Sequence, residues 1–169
     1  MALRFITAEE AASFINNGDR VGFSGFTAAG TPKVISKALA KRAIIEHEAG
    51  REFKIGILTG ASTADSLDGV LARADAISFR AAYQSSIDLR NNLNTGKTDY
   101  CDMHLSSLSQ EIRYGFLGKV NVAILEVADV SPDGQLLLTA AVGISPTIAK
   151  VADKIILGLN LRHPKFIKG

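Results

Sequence analysis

The chain has 169 residues, a formal net charge of +2, and a composition that is 47% hydrophobic and 21% charged. That balance suits one globular domain with a real core rather than a disordered segment. With 19 basic residues against 17 acidic and no long basic block, the chain gives no electrostatic footprint for nucleic acid or a membrane surface. No window approaches a membrane span, and MALRFITAEEAA is too acidic and too short in apolar length for a secretion signal. Cys101 is the sole cysteine, which excludes an internal disulfide, fits a reducing compartment and makes a cytoplasmic location the expectation.

In chain order, Thr7 followed by Glu10 reads as a capping box before a short first helix. RVGFSG (20–25) is a first strand. The glycine-rich turn GFTAAGTP (25–32) leads to Pro32, near the start of a helix running to about His47 with Val34, Ile35, Ala38 and Leu39 on one face. KIGILTG (54–60) is a nearly uninterrupted apolar run, as in a strand covered on both sides. SLDGVLARA (66–74) predicts a short helix and AISFRA (76–81) a third strand. The stretch from Ser85 to Asp102 is polar and turn-rich, a long connection or a short helix with a loop. Ser106 to Phe116 reads as helical, and VNVAILEVA (120–128) is the strongest buried strand. PDGQ (132–135) marks a turn from which QLLLTAA returns as another strand. SPTIAKVA (145–152) is a helix with Pro146 at its start, and KIILGLN (154–160) a final strand. Strands alternating with helices of about ten residues give an α/β fold, a mostly parallel open sheet with helices on both faces.

Ligands in such sheets bind beyond the carboxyl ends of the strands. Four segments fall there: GFTAAGTP, TGAST (59–63), RAAYQSS (80–86) and DMHLSS (102–107). The first has glycines for a close approach, but matches neither the dinucleotide pattern GxGxxG nor the P-loop pattern, and a plain tight turn explains it equally. In TGAST, Thr59, Ser62 and Thr63 offer small hydroxyls for a carboxylate or carbonyl oxygen, and helix capping accounts for Ser62 or Thr63 as well. Arg80 has the geometry for a bidentate carboxylate ligand, with a structural salt bridge as the alternative.

His104 stands near Asp102 and Cys101, yet no second His or Cys lies at zinc-ligand spacing, so no metal is expected. Cys101 lacks an activating base by sequence and reads as a buried or half-buried thiol. Glu126 ends the apolar run VAILEV, where a carboxylate is costly unless paired. A general base and a structural hydrogen bond, with Asp129 as a structural partner, both remain open. Spacing alone yields a sheet domain with a hydroxyl-rich rim and no convincing catalytic constellation.

Together, GFTAAGTPKVISKAL, LTGAST, FRAAYQSS, YCDMHLSSLSQ and VNVAILEVADVSPDGQLLLTAAVGISPTIAKVADKIILGLN resemble the first domain of the acetyl-CoA hydrolase/transferase family of class I coenzyme A transferases. The resemblance runs from about Phe5 to Gly169, and the order and spacing of the segments make it specific. It implies a two-domain acyl-CoA:carboxylate CoA-transferase, of which residues 1–169 are the first α/β domain. The catalytic glutamate, which forms a glutamyl-CoA thioester, belongs in that family to the second domain. No residue of this chain is therefore expected to be the nucleophile, Glu126 included, and the isolated chain is expected to be inactive. The same resemblance makes Ser62 and Ser85 contacts to the small carboxylate substrate and places Gly25, Phe26 and Thr27 beside the same cleft. Met103 and His104 match a family segment near it. The family often carries proline where this chain has Ala82.

The implied substrates are a coenzyme A thioester and a small carboxylate, with no tightly bound cofactor. The implied protein partner is the missing second domain or a companion subunit, and a homo-oligomer is expected from the faces a half-enzyme exposes. Hydrolysis of acetyl-CoA, or a non-catalytic binding module, are the other functions open at this stage.

Overall fold

A computed structural model describes residues 3–61 and 65–164. The apolar runs become strands of one sheet: β1 (Arg20–Phe23), β2 (Ile55–Leu58), β3 (Ile77–Ala81), β4 (Asp99–Cys101), β5 (Val122–Val130), β6 (Leu136–Leu138) and β7 (Lys154–Leu159). The helices are α1 (Ala8–Ser13), α2 (Lys33–Glu48), α3 (Val70–Arg73), α4 (Ile87–Asn94), α5 (Leu105–Arg113) and α6 (Ser145–Val151). The anticipated helix at 66–74 opens as a π-helical turn, Asp65–Gly69, that runs into α3.

The main path of the sheet is β4-β3-β2-β1-β5-β6, with β7 also paired to β5. All pairings are parallel except β5 with β6. Val127 pairs with both Leu138 and Leu159, so β6 and β7 lie on opposite edges of β5. β1 and β6 therefore share one edge in succession, β1 along Val122–Ile124 and β6 along Val127–Val130.

Side-chain alternation divides the core into two layers. Val21, Phe23, Ile55, Ile57, Ile77, Val122 and Ile124 meet Ile15, Leu39, Leu71 and Leu89 of the face covered by α1 to α4. Leu58, Ala81, Ala123, Leu125 and Val127 meet Leu108, Ile112 and Ile148 on the face covered by α5 and α6. Gly22 lets α6 approach, because a Cβ there would stand 2.9 Å from Ile148 Cγ2.

Local signals explain most element ends. Thr7 Oγ1 accepts the Glu10 N–H at 3.1 Å, the first half of the capping box, whereas the Glu10 carboxylate pairs with Arg4. Pro32 is the N-cap of α2, and Pro146 sits in the first turn of α6. Three readings change. Val34 is 70% exposed, so the buried stripe of α2 is Ile35, Ser36, Ala38, Leu39, Ala40 and Ala43. The polar 85–102 stretch holds α4 and also the edge strand β4, too short and too polar (exposed Asp99 and Tyr100) to show as a period-two pattern. QLLLTAA is strand only over Leu136–Leu138.

Candidate functional site

From β1 the chain steps through β2, β3 and β4 in one direction, and β5 lies on the other side of β1. The carboxyl ends of β1 and β5 thus form the topological switch point, where diverging loops leave a crevice.

The loop after β1 is built there from short-range bonds. Ser24 is fully buried; its Oγ donates to the Gly30 carbonyl at 2.7 Å and accepts the Glu126 N–H at 2.8 Å. Phe26 and Ala29 exchange backbone bonds of 2.9 and 3.1 Å, which leaves Thr27 and Ala28 at an exposed tip. Gly25 has φ +122°, and a Cβ on it would lie 2.7 Å from Thr31 Oγ1, so both conformation and space require glycine. Thr27 adopts φ 56°, rare for a β-branched residue. It is held by its N–H donating to the Ala61 carbonyl at 2.7 Å and its own carbonyl accepting from Thr31 Oγ1 at 3.1 Å. The GFT turn is thereby clipped to the TGAST loop.

Glu126 is 7% exposed, and its Oε1 accepts from Thr139 Oγ1 at 3.0 Å. Asp129 is not its partner, since Asp129 Oδ1 accepts the Val130 N–H at 2.9 Å. The Glu126 carboxylate therefore ties β5 to the segment after β6. That segment packs on the GFT loop: a Cβ on Gly30 would lie 3.3 Å from Thr139 Oγ1 and from Ala141 Cβ.

Arg80 is fully buried and pairs side-on with the equally buried Asp68, Nε to Oδ1 at 3.1 Å and Nη2 to Oδ2 at 3.2 Å. Of the two sequence alternatives for Arg80, the structural salt bridge is the one the fold adopts. Burial pushes the Asp68 carboxyl above its usual range, and the Arg80 guanidinium pulls it back. Burial, then the charge of Asp102, pushes the nearby Tyr100 phenol up.

In RAAYQSS the two serines separate in role. Ser86 is the N-cap of α4, its Oγ accepting the Leu89 N–H at 3.4 Å, whereas Ser85 is exposed one residue before the cap. Met103 is half-buried and His104 exposed, as N-cap residue of α5 without a side-chain cap bond. Ser62 and Thr63 lie outside the described residues. Among the described residues, Thr59 Oγ1 and Gln84 Oε1 are buried without a hydrogen-bond partner, two polar atoms on adjacent loops that sequence reading did not single out together.

The described members of this set share one edge of the sheet. Four neighbouring strands at about 4.8 Å spacing spread the loops after β1, β2, β3 and β4 over roughly 14 Å. The GFT turn and TGAST loop touch, Ser85 follows the next strand, and Met103 and His104 follow the edge strand. An open groove of about 400 Å³ between α1 and α2, lined by Glu9, Lys33, Lys37 and Lys41 among others, contains none of these residues. Among the described residues, no three His, Cys, Asp or Glu side chains gather as a metal-holding group, and no helix is long and apolar enough to cross a membrane.

The acetyl-CoA hydrolase/transferase N-terminal domain profile matches residues 2–169. The chain belongs to this family. It is 46% identical over 158 residues to the propanoyl-CoA:succinate CoA transferase of Escherichia coli, covering 94% of this chain and 32% of that protein. It is 38% identical over 166 residues to the succinyl-CoA:acetate CoA-transferase of Clostridium kluyveri, covering 98% of this chain and 30% of that protein. The glutaconate coenzyme A-transferase of Acidaminococcus fermentans shares the fold, with a TM-score of 0.69 at 14% identity over 90% of this chain and 67% of that one. The chain thus spans about a third of the length of these two curated relatives. The sheet matches the mostly parallel α/β fold expected of that family's N-terminal domain.

Proposed function

We propose that this chain supplies one wall of the acyl and carboxylate pocket of an acyl-CoA:carboxylate CoA-transferase, as its first domain. The carrying observation is the family match across residues 2–169. The open rim supports it: a small-molecule site buries most of its ligand, and a row of loops along a sheet edge needs a second body to close over it. That body is a second domain or companion subunit, and it brings the glutamate nucleophile.

The chemistry is a double displacement. The glutamate carboxylate attacks the thioester carbonyl of acyl-CoA and expels CoA thiolate, leaving a mixed anhydride. The thiolate then attacks the glutamyl carbonyl, the carboxylate product departs, and glutamyl-CoA thioester remains. An incoming carboxylate reverses these steps and leaves as the new acyl-CoA. In this reading Ser62 and Ser85 donate hydroxyl hydrogen bonds to the substrate carboxylate, beside Gly25, Phe26, Thr27, Met103 and His104. Such donors help hold a desolvated carboxylate in line with its electrophile. Interception of the thioester by water turns the same site into a hydrolase, the other activity in the family's description.

The test is acyl transfer from succinyl-CoA or propanoyl-CoA to acetate or succinate. It compares the chain alone with the chain joined to the remaining two thirds of such an enzyme. Transfer by the joined protein and none by the chain alone is the expected result. Turnover by the purified chain alone would overturn the assignment of the nucleophile.

A further inference from the structure

Arg80 does more than neutralise Asp68. β2 ends at Leu58 and β3 at Ala81, so the carbonyls of Thr59 and Tyr83 lie just past the strands, where the chain turns into the rim loops. Arg80 reaches both. Its Nη1 donates to the Thr59 carbonyl at 3.4 Å and the Ala81 carbonyl at 2.5 Å, and its Nη2 donates to the Tyr83 carbonyl at 3.1 Å. Asp68 fixes the other edge of the guanidinium from the π-helical turn. From Thr59 the constraint passes to Ala61, whose carbonyl takes the Thr27 N–H at 2.7 Å.

A buried ion pair gives weak support to stability, because apolar side chains of similar volume often serve as well. What apolar side chains lack is a planar fork of donors that fixes several carbonyls at once. Here the Thr59 and Tyr83 carbonyls belong to the loops after β2 and β3, and the Ala81 carbonyl ends β3 itself.

We propose that Arg80, oriented by Asp68, is the positioning residue of this rim. It sets where the Thr59–Ala61 and Ala82–Ser85 backbones stand, and so where hydroxyls are offered to a carboxylate ligand. The ligand's identity rests on the CoA-transfer reading; the positioning does not.

Two variants test it, R80K and the apolar pair R80M/D68L, the second because it leaves no buried charge without a partner. In this chain, amide hydrogen exchange at Thr59 and Thr27, whose N–H groups donate to the Ala81 and Ala61 carbonyls, should rise by about 10-fold or more in both variants, while α2 and β5 keep their wild-type protection. An ammonium lacks the fork, so R80K should not restore the rim. Unchanged rim protection in R80M/D68L, a rise spread evenly over the sheet, or full rescue by R80K would each overturn the proposal. In the chain joined to the segment that completes the site, KM for the acceptor carboxylate should rise about 10-fold in R80K with KM for acyl-CoA unchanged. Equal loss for both substrates would mark a merely structural pair. If the wild-type joined protein transfers no CoA at all, the CoA-transfer reading fails, and amide exchange still decides the role of Arg80.

Discussion

Ser24 and Glu126 are 102 positions apart in sequence, and the Ser24 hydroxyl accepts the Glu126 backbone N–H at 2.8 Å while donating to Gly30 at 2.7 Å. One hydroxyl thus seals β5 where β1 leaves it and closes the GFTAAG loop on itself. Replacing it by alanine strands a buried donor and a buried acceptor. Ser24→Ala should cost about 2–3 kcal/mol, seen as a fall in melting temperature of roughly 4–12 °C. A change under about one degree would show that water replaces both bonds.

Gly22 and Ile148 meet in the same way across the other face. Gly22→Ala places a methyl 2.9 Å from Ile148 Cγ2 and should destabilise by about 1–3 kcal/mol through overpacking. Ile148→Ala alone, at a fully buried position, should cost about 2–5 kcal/mol. In the double variant the two costs should sum to less than their parts, since the lost side chain makes room for the new one. Additive costs in a denaturant-unfolding cycle would contradict the contact.

Ser85 and Ser86 are chemically alike and differ in what they hold. Ser86→Ala removes the cap of α4 and should lower stability by about 1 kcal/mol. Ser85→Ala should leave stability within about 0.5 kcal/mol, because Ser85 is exposed. Its effect should be kinetic. In the completed enzyme, loss of a hydrogen bond to a carboxylate predicts a fall of roughly 10- to 100-fold in transfer rate, and Ser62→Ala the same. Wild-type kinetics in both variants would remove these hydroxyls from the site.

Arg73 links Asp65 and Asp88 at 2.6 and 2.5 Å, joining the π-helical turn to α4. The hydrogen bond from Arg73 holds the Asp65 carboxyl below the ordinary aspartate value of 3.8. The folded value lies under the unfolded one, so the pair stabilises fully above 3.8 and its contribution is lost as pH falls through the folded value. The pair is exposed and screened, so Asp65→Asn should lower the melting temperature near neutral pH by only about 1–3 °C. The gap should close in strong acid and shrink in high salt. A gap that persists in acid would mean that Asp65 acts through something other than its charge.

Much local chemistry was legible in the sequence where it needed only neighbours. The apolar runs 54–60 and 120–128 announced buried strands, Thr7 and the two helix-opening prolines announced helix starts, and the glycines of 25–30 announced a tight turn. The order of GFTAAGTP, TGAST, RAAYQSS and DMHLSS carried the family. Tertiary structure decided what depends on partners far along the chain. Arg80 read equally as a ligand or a salt bridge until Asp68 came to it from another element. Glu126 found Thr139 rather than Asp129 because β6 turns back along the edge that β1 vacates. The polar strand β4 escaped notice because its place is set by pairing with β3, not by apolar period. Hydrophobic period is a property of a segment, whereas a buried charge or hydroxyl is defined by the group that satisfies it, and only the folded sheet brings that group within reach.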